Sequence, residues 1–258
     1  MERLRELTKS NKNAGPIIES AIWAIGIILV WQLFTQAFQI PSHLLPSPSA
    51  IIQRTITFAD LPRHVLATLY GVLEGFSVAA IVGITLATLI AHSQRLARGL
   101  YPLLSMSDAI PKAALAPLFV IWIGFGALPR LLITFLTAFF PIVVNTLSGL
   151  TIIEPEMLDM MSSLKATKWQ VFRKIRLPTS MPYIFTAFKI SAPLSVIGAV
   201  NAEFFSGNEG LGYLVLESNW RVDIPLLFSA LVCMAAIGLG LFAVVLVTER
   251  LLLPWYKK

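Results

Sequence analysis

Long apolar stretches separated by short polar ones run the length of the chain. Six of them, near residues 17–38, 64–91, 100–125, 131–152, 181–205 and 225–247, approach the roughly 20 residues that cross a bilayer. The pattern predicts an all-α membrane protein with six transmembrane helices. One long polar interruption stands out, residues 154–182, reading EPEMLDMMSSLKATKWQVFRKIRLPTSMP. Within it Met157, Leu158, Met161 and Leu164 fall at i, i+1, i+4 and i+7, one face of a short helix. Glu154 followed by Pro155 suits a helix start, because proline is tolerated at the first helical position. The pattern stutters at Lys165-Ala166-Thr167, resumes with Trp169, Val171, Phe172 and Ile175, and stops at Leu177-Pro178. A helix-turn-helix is therefore expected between the fourth and fifth spans.

Charge orients these spans. With the N-terminus inside, the cytoplasmic segments carry 14 Lys and Arg, against 4 outside (Arg54, Arg63, Arg130 and Arg221). By the positive-inside rule both termini and the 154–182 segment are cytoplasmic. Composition agrees: the 258 residues are 56% hydrophobic and 13% charged, about half the charge of an ordinary soluble domain. The net charge of +6 is spread over loops on one side and is no nucleic-acid signal. The single cysteine, Cys233, lies in an apolar run and implies neither a disulfide framework nor redox chemistry.

No G-x-x-x-x-G-K-[ST] loop is present, so the chain has no usual cradle for ATP phosphates. Nor is there a His-Glu-x-x-His, a cysteine pair or a Gly-x-Ser-x-Gly. Neither a catalytic nor a metal site is expected.

The third span is unusual, with Pro102, Pro111 and Pro117 beside Asp108 and Lys112. Interior prolines remove backbone hydrogen bonds and kink a helix. In a membrane, irregular backbone is tolerated where protein or water covers it. Spaced i, i+4, Asp108 and Lys112 are placed to pair on one helix face, about 12 and 18 Å in from Leu100. Buried charges at that depth point to function by default. They line a translocation pathway, or they form a structural ion pair at a helix contact. Glu74, about 15 Å into the second span, is a weaker pathway candidate. Lys189 is expected to snorkel, and Trp23, Trp31, Trp122, Trp220 and Trp255 to anchor span ends. Pro41, Pro46 and Pro48 mark 39–63 as a loop, where His43 is read as a loop residue.

The polar segment resembles the coupling-helix motif of permease subunits of ABC importers. That pattern runs Glu-Ala-Ala, three residues, Gly, nine residues, Ile, one residue, Leu-Pro. Here Asp159, Met160 and Met161 stand at the Glu-Ala-Ala positions, Lys165 at the Gly, and Ile175, Leu177 and Pro178 at the end. A residue with a Cβ at a positive-φ turn costs about 1 kcal/mol, so the turn is either reshaped or mildly strained. Downstream, KWQVFRKIRLPTSMPYIFTAFKI is similar to the nitrate/sulfonate/taurine/bicarbonate-type branch. An Ala-Glu-Phe run at Glu203 followed by Gly-Leu-Gly-Tyr (Gly210, Gly212, Tyr213) is also family-like. That stretch forms either a gate-like segment on the outer side or an ordinary loop capping the bundle.

The resemblance implies a cytoplasmic segment at 1–16, one transmembrane permease domain over 17–250 with its coupling segment at 154–178, and a cytoplasmic tail at 251–258. It implies a bacterial inner-membrane location. Implied partners are two ATPase subunits that bind the ATP and Mg, an extracytoplasmic substrate-binding protein and a second permease copy as a homodimer. Asp159, Met160, Met161, Lys165, Ala166, Trp169, Phe172, Ile175, Leu177 and Pro178 would couple to the ATPase. Asp108, Lys112, Glu74 and Glu203 would line the pathway. The expected solute is a small anion such as a sulfonate, nitrate, bicarbonate or aromatic acid. Thiamine-precursor or flavin-like heterocycles remain an alternative, as does secondary transport without an ATPase.

Overall fold

The computed structural model describes residues 2–107 and 109–256. All its regular elements are helical: α1 (Glu2–Ala37), α2 (Pro48–Thr57), α3 (Leu61–Ala91), α4 (Gln94–Ser107), a 3₁₀ turn (Lys112–Leu115), α5 (Ala116–Ile123), α6 (Ala127–Thr151), α7 (Pro155–Ser163), α8 (Lys168–Val171), a π turn (Phe172–Arg176), α9 (Leu177–Ser206), α10 (Leu211–Trp220), α11 (Ile224–Leu252) and a final 3₁₀ turn (Pro254–Tyr256). Among the described residues five helices are long and apolar enough to cross a membrane, or six if one bent pair counts as a span.

That bent pair corrects the expected third span. It is not one kinked helix over 100–125: α4 ends at Ser107, and the two apolar pieces meet at 80°. Pro111 supplies the break, with extended φ −69° and ψ 94° and no N–H to donate. Lys112 therefore opens a new turn instead of continuing α4. Asp108 itself lies outside the described residues.

The chain forms two compact units. The first takes residues up to Ala59 together with Glu217–Ser229. Here the proline-rich loop contains a helix that loop punctuation concealed. Pro48 begins α2, and the Ser47 hydroxyl accepts from the Ala50 N–H at 3.3 Å. Arg54 on α2 donates to Asp223 through Nε at 2.8 Å and Nη2 at 2.6 Å, and Asp223 also accepts from the Leu226 N–H at the start of α11. Thr55 donates to Ser229 at 2.9 Å, and Trp31 meets Phe228 with ring centroids 6.0 Å apart. Between Ala21 and Ala37 most of α1's apolar residues are exposed.

The second unit, residues 60–216 and 230–258, is built on α3, α6 and α9. Gly71, Gly75, Ala79, Gly83 and Ala87 recur every four residues on α3, and all are buried. A stripe of small residues lets two backbones approach closely. A Cβ at Gly75 would collide with the Thr134 side chain, and one at Gly83 would sit 2.8 Å from Ile142. Ile142, Val143, Leu147 and Ala187 fill the core beside this stripe. From α9, Ser191 donates to the Ala138 carbonyl of α6 at 3.0 Å. Lys189 corrects the snorkelling expectation: its ammonium bonds both Glu249 carboxyl oxygens at 2.9 Å. The two are 60 residues apart, and their pairing follows from the packing of α9 against α11.

Candidate functional site: a coupling segment and a clasped loop

The polar segment folds into the expected helix-turn-helix. Glu154 precedes α7 in extended geometry with Pro155 at its first position. At the other end Lys165 takes φ 53°. Its N–H donates to the Ser162 carbonyl at 2.9 Å, and the Ala166 N–H to Met161 at 3.0 Å. This pair of bonds is a Schellman motif with lysine at the left-handed position usually held by glycine. The turn is thus kept and not reshaped, at the cost of roughly 1 kcal/mol of local strain. Thr167 then starts α8 through a capping box: its hydroxyl accepts from the Gln170 N–H, and the Gln170 side chain accepts from the Thr167 N–H at 2.7 Å.

The expected stop at Leu177-Pro178 is corrected. Helical structure runs on from Lys168 through α9, and residues 168–205 form one helical rod with a basic first stretch. A π turn makes this possible. The Leu177 N–H reaches back to the Phe172 carbonyl, five residues away, and the widened turn admits Pro178 at a point where its missing N–H breaks no regular bond. The rod is 38 residues long, about 57 Å at helical rise.

Two faces of the segment differ. Met161 and Ile175 are buried against the body of the unit. Met157, Met160, Leu164 and Trp169 are exposed, Leu164 at 70% and Trp169 at 65%. Trp169 stacks on half-buried Phe172 with centroids 5.6 Å apart. Asp159 and Lys165 are also exposed, whereas Ala166, Leu177 and Pro178 are half-buried. An exposed apolar patch of this kind on a polar segment is suited to a protein partner's groove.

At the far end of the rod Glu203 is 1% exposed. Its carboxyl oxygens accept from the Thr68 hydroxyl at 2.9 and 3.0 Å and from the Gly212 N–H at 2.8 Å. The Thr68 oxygen in turn accepts from the Leu211 N–H at 2.7 Å. His64 Nδ1 sits between the Gly210 carbonyl and N–H, at 3.1 and 3.2 Å, and its ring stacks on Tyr213. Arg63 reaches Glu209 at 3.2 Å. Together these contacts clasp the 207–213 loop onto the first turns of α3. Gly210 takes φ +112°, and any Cβ there would collide with the Glu203 carboxyl group. The structure brings together Glu203, Gly210, Gly212 and Tyr213, which the sequence reading named, with His64 and Thr68, which it did not. Their spacing of i, i+4 on α3 was the available signal.

Glu203→Ala is expected to leave the Thr68 hydroxyl and the Gly212 N–H without their acceptor, a cost of about 2–4 kcal/mol. A drop in the melting temperature of the purified chain checks this; an unchanged melt would contradict it. The remaining pathway candidates are not part of this cluster. Glu74 is exposed on α3, and the Lys112 ammonium lies 5.5 Å from the centre of the Phe140 ring.

Residues 79–258 match the family model of the binding-protein-dependent transport system inner membrane component. This chain belongs to that family. The permease is 34% identical to the formylaminopyrimidine transport permease protein ThiX of Halalkalibacterium halodurans, over 96% of this chain and 99% of that protein. It is 34% identical to the riboflavin transport system permease protein RibX of Chloroflexus aurantiacus, over 89% of this chain and 87% of that protein. It is 29% identical to the nitrate import permease protein NrtB of a Synechocystis species, over 94% and 91%. The 154–178 segment and the Glu203 clasp of this inner-membrane transport component both lie within the matched region.

Proposed function

We propose that this permease forms the membrane pathway of an ATP-driven importer and works as a homodimer. Two separate ATPase subunits engage its 154–178 segments on the cytoplasmic side, and an extracytoplasmic binding protein delivers the solute. The observation that carries this reading is the exposed Met157, Met160, Leu164 and Trp169 patch at one end of the α8–α9 rod. The continuous helical run transmits a push at its cytoplasmic end to the clasped loop at its other end. The chain's own residues supply the pathway, and ATP hydrolysis belongs to the partner.

For the solute, the reading supported best is a small heterocycle of the aminopyrimidine or flavin type, from the names of two relatives at 34% identity. The anion reading rests on Lys112, whose ammonium already faces the Phe140 ring, and on the nitrate relative at 29%. Cells lacking this chain are expected to lose uptake of a labelled aminopyrimidine and keep uptake of nitrate. Loss of nitrate uptake alone would overturn the heterocycle reading. Uptake that survives ATP depletion and follows an ion gradient would instead support secondary transport.

A further inference from the structure

A cavity of about 470 Å³ lies between the coupling segment and the end of α3. His92, Lys168 and Arg176 bring three basic side chains to its wall, and no carboxylate among the described residues lines it. Leu158, Val171 and Phe172 supply an apolar remainder. The His92 Nδ1–H donates to the Thr88 carbonyl at 2.8 Å, so Nε2 can donate to an anion when the ring is an imidazolium. One Arg176 nitrogen donates to the Leu150 carbonyl at the end of α6, at 3.2 Å. Phe172 packs against the His92 ring at 5.9 Å and so braces one wall. The exposed Met157, Met160, Leu164 and Trp169 side chains do not line the cavity, although Phe172, on which Trp169 stacks, does.

We propose that this cavity binds a phosphate-bearing anion, held by Lys168, Arg176 and His92. Guanidinium and ammonium groups are the usual partners of phosphate oxygens, and basic pockets between membrane helices at the cytoplasmic boundary take anionic headgroups. The cavity is many times the roughly 30 Å³ of a single water, room for a phosphodiester headgroup with its first carbons against Leu158 and Val171. The occupant would bridge α3 to the coupling segment, so its presence would stiffen the joint through which the rod is driven. The cytoplasmic placement of the segment rests on the charge asymmetry of the loops and on the importer reading; the anion site does not.

The test uses the delipidated full chain in detergent and native mass spectrometry with three probes: dihexanoyl phosphatidylglycerol, dihexanoyl phosphatidylcholine and inorganic phosphate. The wild type is expected to bind the phosphatidylglycerol about tenfold more tightly than the phosphatidylcholine. A His92→Gln, Lys168→Gln double variant is expected to lose that preference, while Arg173→Gln, Lys174→Gln, which removes charge from exposed positions nearby, keeps it. If inorganic phosphate binds as well as the anionic lipid and the same double variant abolishes both, the phosphate site stands and its source is soluble. Absence of any anion preference, or equal losses in the two variants, overturns the site. So does unchanged lipid binding by the double variant accompanied by loss of a co-purifying ATPase, which would make the cavity part of a protein contact. Because binding is read without transport, failure here leaves the importer reading intact.

Discussion

Gly75→Leu is expected to prevent the α3–α6–α9 core from assembling. A Cβ at this position would collide with the Thr134 side chain and approach the Phe135 backbone nitrogen at 3.3 Å. Thr134 is fully buried, and its hydroxyl is held by the Arg130 carbonyl at 2.8 Å. It has no room to withdraw, and four added carbons would force the two helices apart. Overpacking of ordinary cores costs about 1–3 kcal/mol; separation of two backbones at their closest approach is expected to exceed that. The measurement is the fraction of extracted protein that elutes as a single species on size exclusion, with Gly240→Leu as control, since nothing lies within 4 Å of a Cβ there. The Gly75 variant should aggregate or fail to accumulate, and the control should match the wild type. A monodisperse Gly75→Leu protein with an unchanged melt would show that the small-residue stripe does not set the packing.

The second large effect is expected at the coupling segment. Met160→Asp combined with Trp169→Asp places two charges on the patch without entering the core, since Met160 is 55% exposed and Trp169 65%. The fold should persist, as Met161 and Ile175 still anchor the segment. ATP-dependent uptake should fall at least a hundredfold, because desolvating two carboxylates in a partner's apolar groove forfeits several kcal/mol. Wild-type uptake with a normal melting curve would contradict the coupling role. A lowered melt with lost uptake would make the effect structural, and Met160→Ala with Trp169→Ala would then separate folding from docking.

Much of this arrangement was legible in the chain. Apolar run length gave the spans, and the polar stretch with its Glu154-Pro155 start gave the helix-turn-helix. Two prolines in the pattern have opposite outcomes, because the hydrogen bonding around each differs. At Pro178 a π turn removes the conflict and the helix continues. At Pro111 nothing does, and the span bends. Glu203 was recognisable as a polar residue at a span end. Its partner Thr68 lies more than 130 residues away, as His64 lies from the Gly210 it holds, and only the packing of α9 on α3 brings them together. The Gly71-Gly75-Ala79-Gly83-Ala87 stripe was present at fixed spacing beside Glu74. It draws less notice than a charge in an apolar run, although it decides which face of α3 is buried.

The central claim, that this permease is driven through its coupling segment by a separate ATPase, is tested most directly by purifying the chain from native membranes in mild detergent and identifying what accompanies it. The account predicts a P-loop ATPase at about one copy per permease, lost from the Met160→Asp, Trp169→Asp variant. A wild-type chain recovered as a stable oligomer without any ATPase, under conditions that preserve such complexes for related importers, would contradict it.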